Sequence, residues 1–96
     1  MKWFAYIQNN SGGSFVGPRN VMVQATSSHM ADAAAVEFGE VYFDGCADEV
    51  DCPCCGDRWE RSWDHGEDQP MVYGEAVSAG PEVLLVYADG RTEGGR

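Results

Sequence analysis

The sequence predicts an α+β domain in which one main helix packs on a small antiparallel sheet of about four strands. Residues 2–8 and 20–26 alternate bulky apolar side chains with others, as in strands whose side chains point to opposite faces in turn. The alanine-rich residues 29–38 follow Ser27 and Ser28, which are favourable residues at a helix start. These segments predict a ββα beginning, and a chain of 96 residues has room for one such domain.

The apolar face of the predicted helix follows from its spacing. The helix is expected to end near Gly39, since glycine readily takes the backbone conformation that closes a helix. Met30, Ala34 and Phe38 recur at intervals of four residues, so one face carries all three. We expect this face to cover the sheet, whereas Asp32 is expected to face water.

The rest of the chain offers shorter strand candidates. Residues 41–43 predict a short strand that leads into the cysteine-containing loop. Residues 71–77 and 82–87 predict two further strands, separated by turn-forming residues. Residues 89–96 contain three glycines and no large apolar side chain, which predicts a single domain over 1–88 followed by a flexible tail.

The charge balance is strongly acidic. Six basic and sixteen acidic residues give a formal net charge of −10, which repels both phosphate backbones and anionic membranes. Direct binding of nucleic acid or membrane is therefore not expected. Nine carboxylates and only two arginines lie between Asp44 and Asp68, so the negative potential is concentrated around the cysteines. This region either attracts a basic partner surface or is a solvated face that keeps the protein soluble.

The redox state of the four cysteines depends on the compartment. No stretch approaches the roughly 20 apolar residues of a membrane span, and residues 1–6 lack the long apolar segment of a secretory signal. We therefore expect a cytosolic protein. In the reducing cytosol, four cysteines within residues 46–55 predict metal ligands or reactive thiols rather than disulfides.

The CPCCG sequence at residues 52–56 contains the pattern of a zinc knuckle. Two thiolates separated by two residues can bind one metal ion, and the glycine keeps the turn open. A structural zinc site needs four ligands, and the chain has no second CxxC pair. Zinc is therefore a candidate cofactor, and the predicted ligands are Cys46, Cys52, Cys55 and His65.

Several alternatives to this ligand set stay open. Cys54 is expected to point away from the metal, but it could replace Cys46 or His65, and Asp44 or Asp51 could supply an oxygen ligand. All four cysteines could instead be reduced thiols without a metal. A redox role for the CxxC pair is disfavoured, because the surrounding carboxylates should raise the thiol pKa values and weaken the nucleophiles.

Aromatic and acidic side chains near the cysteines are candidates for partner binding. Asp57 could cap one helical turn carrying Trp59 and Trp63, of which Trp59 is expected in the core. An exposed tryptophan in an acidic surrounding could instead anchor a partner protein. The predicted partner-binding residues are Asp48, Glu49, Trp63 and Asp64. The sequence contains no GxSxG, phosphate-binding GxxxxGK[ST] or HExxH motif, so an enzyme is not expected.

Five short motifs resemble a family of small uncharacterised proteins encoded by tailed bacteriophages. They are NNSGGSF at 9–15, NVMVQATS at 20–27, YFDG at 42–45, DCPCCGDRW at 51–59 and VYGE at 72–75. The resemblance covers roughly residues 2–77, and the DCxCCGDRW stretch is its most specific part. In the family pattern Cys52, Cys54 and Cys55 are fixed and Cys46 is not. This implies that the turn could be a structural clasp, held by hydrogen bonds from Asp51, Asp57 and Arg58.

The resemblance also implies where and how the protein acts. A phage protein of this kind is expressed in the bacterial host cytoplasm, and the family brings no known activity, cofactor or catalytic residue. We therefore expect a non-enzymatic accessory protein that binds a host or phage protein through the acidic surface near the cysteines. Two alternatives are a virion or assembly component and a thiol–disulfide oxidoreductase.

Overall fold

The computed structural model describes residues 1–9, 15, 17–62 and 65–95. It confirms the α+β class, with one helix packed on a four-stranded sheet and a separate two-stranded sheet. The elements are, in chain order, β1 (Lys2–Ile7), β2 (Asn20–Ala25), α1 (Ser28–Phe38), β3 (Met71–Val72), β4 (Glu75–Ala76), β5 (Val83–Val86) and β6 (Thr92–Gly94).

The main sheet has the strand order β1-β2-β5-β6 and is mixed. β1 pairs with β2 antiparallel, with Phe4 opposite Val23, and β5 pairs with β6 antiparallel. The prediction of a purely antiparallel sheet is wrong at the central pair, because β5 runs parallel to β2, with Val21 opposite Leu84. Parallel neighbours need a long crossover connection, and here α1 and the cysteine-containing loop supply it. Alternation along each strand identifies a strand but not its direction.

The ends of α1 follow the sequence signals. The Ser27 side chain accepts a hydrogen bond from the Met30 N–H at 3.2 Å, as an N-cap residue does. At the other end, the Gly39 N–H donates to the Ala35 carbonyl at 2.9 Å. The predicted boundaries of the helix are therefore confirmed to within one residue.

The face of α1 that covers the sheet differs from the predicted one. Ala31 and Ala35 are the buried helix residues, whereas Met30 is 56% exposed and Phe38 is 39% exposed. Small side chains let the helix backbone lie close to the sheet. A Cβ atom on the glycine that ends the helix would lie only 2.9 Å from Val21 Cγ1. Bulky side chains at the contact would hold the helix away from β2, so the small face lies inward.

The core lies on both faces of the sheet, as the alternation in β1 and β2 requires. Between the sheet and α1 lies a cluster that includes Phe4, Tyr6 and Val23. Trp59 joins this cluster and is 4% exposed, which confirms its predicted core position. A smaller cluster on the opposite face consists of Trp3, Met22 and Leu85, with partly buried side chains around it.

Several predictions for local structure are wrong. Residues 41–43 form no strand, and residues 57–62 form no helical turn. Residues 71–77 form the β3–β4 hairpin rather than one strand, because Tyr73 and Gly74 have φ angles of 52° and 82° and reverse the chain. The expected loose tail instead contains β6, whose pairing with β5 extends the sheet beyond residue 88. Within the described residues, no helix is long and apolar enough to cross a membrane.

Candidate functional site

Two consecutive turns carry the cysteines on the chain between α1 and Trp59. The acidic turn comprises residues 44–50, and the backbone N–H groups of Val50 and Asp51 close it by donating to the Gly45 carbonyl at 2.8 and 3.0 Å. The cysteine turn comprises residues 52–56, and the Gly56 N–H donates to the Cys52 carbonyl at 3.2 Å. Each turn is thus closed by its own backbone hydrogen bonds.

A buried carboxylate holds the two turns together. The Asp51 side chain is 1% exposed and accepts hydrogen bonds from the Tyr42 hydroxyl at 2.5 Å and the Arg58 backbone N–H at 2.8 Å. The Arg58 Nε lies 3.6 Å from the Asp51 Oδ1. A buried carboxylate is tolerated only when it is paired and hydrogen-bonded, as it is here. Burial raises the pKa of the Tyr42 hydroxyl, and its hydrogen bond to Asp51 adds to the effect.

The guanidinium of Arg58 extends this network to the sheet. Its Nη1 donates to the Gln8 Oε1 at 2.7 Å, and its Nε donates to the Tyr42 hydroxyl oxygen at 3.2 Å. The Gln8 amide in turn donates to the Pro18 carbonyl at 3.0 Å. We call this group of Gln8, Tyr42, Asp51 and Arg58 the Asp51 clasp. The clasp attaches the cysteine-containing loop to Gln8, which directly follows β1.

Further contacts fix the cysteine turn from outside. Asn9 donates from its side chain to the Cys55 carbonyl at 2.7 Å, and its backbone N–H donates to the Arg58 carbonyl at 2.9 Å. Asp57 accepts a hydrogen bond from the Cys46 backbone N–H at 2.9 Å. Asp51, Asp57 and Arg58 therefore make hydrogen bonds around the turn, as the clasp hypothesis requires.

Three of the four cysteines lie together. The Sγ atoms of Cys52, Cys54 and Cys55 lie within 4.8 Å of one another and could hold a metal ion. The distance between Sγ atoms is 2.8 Å for Cys52 and Cys54, and 3.7 Å for Cys54 and Cys55. Cys54, the alternative ligand, therefore lies beside Cys52 and Cys55, the two predicted ligands of the knuckle. The expectation that its side chain points away from the metal position is not met.

The other two predicted ligands, Cys46 and His65, are not part of this cluster. The Cys46 thiol donates to the Cys52 carbonyl at 3.6 Å, and its Sγ does not lie with the three clustered sulfurs. His65 is exposed and likewise outside the cluster. Among the described residues, the group that could bind a metal therefore consists of three thiols.

The two carboxylates considered as oxygen ligands are occupied elsewhere. Asp51 belongs to the clasp, and Asp44 receives two hydrogen bonds from the Arg61 guanidinium at 2.7 and 3.0 Å. The hydrogen bond from Arg61 lowers the pKa of the Asp44 carboxyl. Neither residue adds an oxygen to the thiol cluster.

The thiols differ in their acidity. Burial, followed by the nearby Asp57 carboxylate, raises the pKa of Cys46 to about 11. Hydrogen bonding to Cys52 and Cys55 raises the pKa of Cys54 to about 11. The pKa of Cys52 is lowered, mainly because Cys54 donates a hydrogen bond to its sulfur. The expectation that carboxylates raise the thiol pKa values holds for Cys46 and is wrong for Cys52.

The acidic turn presents the predicted partner-binding residues to solvent. Asp48 and Glu49 are both exposed, whereas Trp63 and Asp64 lie outside the described residues. Val50 is 65% exposed beside them, and its exposure was not predicted. A single valine among the acidic residues 48, 49 and 51 is the sequence signal that could have identified it.

Asp32 is a second residue whose role was not predicted. Its carboxylate accepts hydrogen bonds from the Tyr6 hydroxyl at 2.6 Å and the Ser62 backbone N–H at 2.9 Å. The expectation that Asp32 faces water is therefore wrong, since it ties α1 to β1 and to the loop after the cysteine turn. No local pattern indicates this, because both partners are distant in the sequence.

The fold and the site together define a small α+β protein with a cysteine-rich turn that is fastened to the sheet by a buried carboxylate. A family model described as a domain of unknown function (DUF7296) matches residues 1–95, and the chain belongs to this family. The match spans the main sheet, the Asp51 clasp and all four cysteines. No curated protein and no solved structure matches the chain.

Proposed function

We propose that this protein is a non-enzymatic phage accessory protein that binds a basic surface of a host or phage protein in the bacterial cytoplasm. The binding surface consists of Asp48, Glu49 and Val50 on the acidic turn, beside the cysteine turn. The observation that carries the proposal is that a buried ion pair orders a loop whose outward side chains are acidic and exposed.

The backbone of the acidic turn supports this proposal. Asp44 and Glu49 have φ angles of 61° and 62°, a left-handed conformation that is unfavourable for residues other than glycine by about 1 kcal/mol each. Such a conformation persists where the surroundings determine it, and here the backbone hydrogen bonds within the acidic turn do so, including those from Asp48 N–H to the Asp44 carbonyl and from Glu49 N–H to the Cys46 carbonyl. A loop that is already ordered loses less conformational entropy on binding.

The side chains of the acidic turn indicate the chemistry of the partner. An exposed apolar residue flanked by carboxylates matches a partner surface with an apolar contact surrounded by lysine or arginine. The acidic residues between Asp44 and Asp68 add a longer-range attraction for such a surface. The partner surface is therefore expected to be basic, and the complex is expected to weaken as salt is added.

The test is a pull-down from infected host lysate with the intact protein and two charge-reversal variants. Asp48→Lys combined with Glu49→Lys should abolish the capture of a basic protein. The matched control combines Glu37→Lys with Glu75→Lys, which changes the net charge equally at exposed positions away from the acidic turn. Equal loss with both variants would contradict the proposed surface. Recovery of the chain from purified particles would instead indicate the virion or assembly role.

We propose zinc binding by the cysteine turn as a second function, supported by the cluster of three thiols. With Zn–S bonds of about 2.3 Å, two sulfurs of a tetrahedral site lie about 3.8 Å apart. The Cys54 to Cys55 separation of 3.7 Å already fits. The Cys52 to Cys54 separation of 2.8 Å would have to widen by about 1 Å, which the exposed Cys54 side chain allows.

The geometry supports zinc better than thiol–disulfide exchange. An oxidoreductase motif needs its reactive cysteine at a helix N-terminus directly after a strand. The cysteine turn instead lies in a loop, with no helix in residues 57–62 behind it. The lowered pKa of Cys52 favours a thiolate. A thiolate can act either as a metal ligand or as a nucleophile, so this pKa does not favour the oxidoreductase.

A further inference from the structure

We infer that the cysteine turn binds zinc through Cys52, Cys54 and Cys55 with its fourth coordination position open, and that a neutral imidazole from the bound partner fills this position. This inference rests on the proposed zinc binding. It assigns the partner a histidine at the contact, beside the basic surface proposed for the acidic turn.

Within residues 17–62 and 65–95, which the structure describes, the donor groups near the thiol cluster leave the fourth position open. The Cys46 thiol donates to the Cys52 carbonyl, and its backbone N–H is bound by Asp57. Asp44 is held by two hydrogen bonds from Arg61, and Asp51 is buried in the clasp. Each of these side chains would have to leave an existing partner in order to reach the metal.

The sulfur cluster itself is accessible from outside. Cys54 and Cys55 are exposed and Cys52 is half-buried. Asn9 holds the turn through the backbone carbonyl of Cys55 and not through a sulfur atom. A metal ion held by the three sulfurs would therefore face solvent, and a ligand on another protein could reach it.

Charge selects imidazole over a fourth thiolate. A zinc ion of charge +2 with three thiolates carries a net charge of −1, and a fourth thiolate would make it −2. Nine carboxylates already lie in the sequence between Asp44 and Asp68, so further negative charge there is unfavourable. A neutral imidazole nitrogen is a common zinc ligand and leaves the charge at −1.

The experiment replaces zinc with Co²⁺ in the full-length reduced protein and follows its absorption spectrum. Thiolate-to-cobalt charge-transfer bands report the sulfur ligands, and the visible d–d bands report the coordination geometry. Titration with imidazole should change the d–d bands in a saturable manner without reducing the charge-transfer bands. Cys46→Ser and His65→Ala variants should give the same spectra and the same titration as the natural sequence.

Three outcomes would overturn the inference without contradicting the proposed zinc binding. Imidazole could leave the d–d bands unchanged, or it could reduce the charge-transfer bands by displacing a cysteine. The spectrum before titration could also change in Cys46→Ser or His65→Ala, which would show that the chain supplies its own fourth ligand. Absence of all charge-transfer bands would instead contradict the proposed zinc binding itself, and the inference would fail with it.

Discussion

The helix and the cysteine turn lie against the same sheet but are held by opposite kinds of contact. α1 packs through Ala31 and Ala35, small apolar side chains that are fully buried. The cysteine turn is fastened by Asp51 and Arg58, a buried ion pair with hydrogen bonds to Tyr42. Apolar packing is non-directional. A buried ion pair depends on both partners, because losing one leaves the other as an uncompensated buried charge.

This contrast explains how the exposed surfaces differ. Met30 and Phe38 stay partly exposed because the helix contacts the sheet through Ala31 and Ala35 instead. The cysteine turn needs Trp59 as an apolar anchor in the core, while its polar clasp determines the shape of the part that faces solvent. We therefore expect substitutions in the clasp to alter both stability and the presented surface, and substitutions of the apolar side chains of α1 to alter stability alone.

Breaking the clasp should have the largest effect. Asp51→Ala would leave the largely buried Arg58 side chain without its carboxylate and should reduce the free energy of unfolding by roughly 3 kcal/mol. Urea unfolding followed by tryptophan fluorescence measures this change. Asp68→Ala, which removes an exposed ion pair with Lys2, is the matched control and should change stability much less. Equal losses in the two variants would mean that the clasp is not a distinct stabilising unit.

Enlarging the buried face of α1 should have an intermediate effect. Ala35→Leu would push the helix away from the sheet and should cost about 1–3 kcal/mol, because overpacking forces side chains and backbone to move. Phe38→Ala should cost about 1 kcal/mol, since that side chain is 39% exposed. Thermal unfolding of both variants shows which of the two substitutions lowers stability more. A larger loss for Phe38→Ala would show that the helix packs through its bulky face after all.

The two regions also differ in how far the sequence predicts them. The bounds of β1, β2 and α1 follow from alternation and from Ser27 and Gly39, because these signals are local. The inward face of α1 does not follow from periodicity, since alanines on one side and Met30 and Phe38 on the other both form an apolar stripe. The choice depends on how closely the helix approaches β2, which is a property of the assembled fold.

For the cysteine turn, too, the sequence predicts the local spacing but not the orientation of the side chains. The CPCCG spacing predicts that Cys52 and Cys55 lie together, and the structure confirms this. It does not predict that Cys54 joins them or that Cys46 turns towards the Cys52 carbonyl. That orientation depends on Asp57 and the clasp, and the clasp brings Gln8 and Tyr42 to Arg58 across long sequence separations.

Raising the pH should weaken the attachment of Cys46. Its folded-state pKa of about 11 lies above the ordinary value of 9.0, so the native fold favours the protonated thiol. The resulting stability is fully present below the ordinary pKa and is lost as the pH rises through the folded one. The urea midpoint should therefore fall more steeply between these values in the natural sequence than in Cys46→Ser. Parallel curves would contradict the assigned surroundings of Cys46.

Removing the metal should have the smallest effect on stability. Protein purified without added metal should contain about one zinc per chain, and Cys54→Ser should lose it whereas Cys46→Ser retains it. A chelator should then shift the melting temperature by only a few degrees. The three ligands lie within residues 52–55, so the unfolded chain keeps much of their affinity for zinc, and binding to the unfolded state reduces the net stabilisation. The Asp51 clasp, which needs no metal, should hold the turn in place. Unfolding of the protein on chelation would show that the metal, and not the clasp, organises this region.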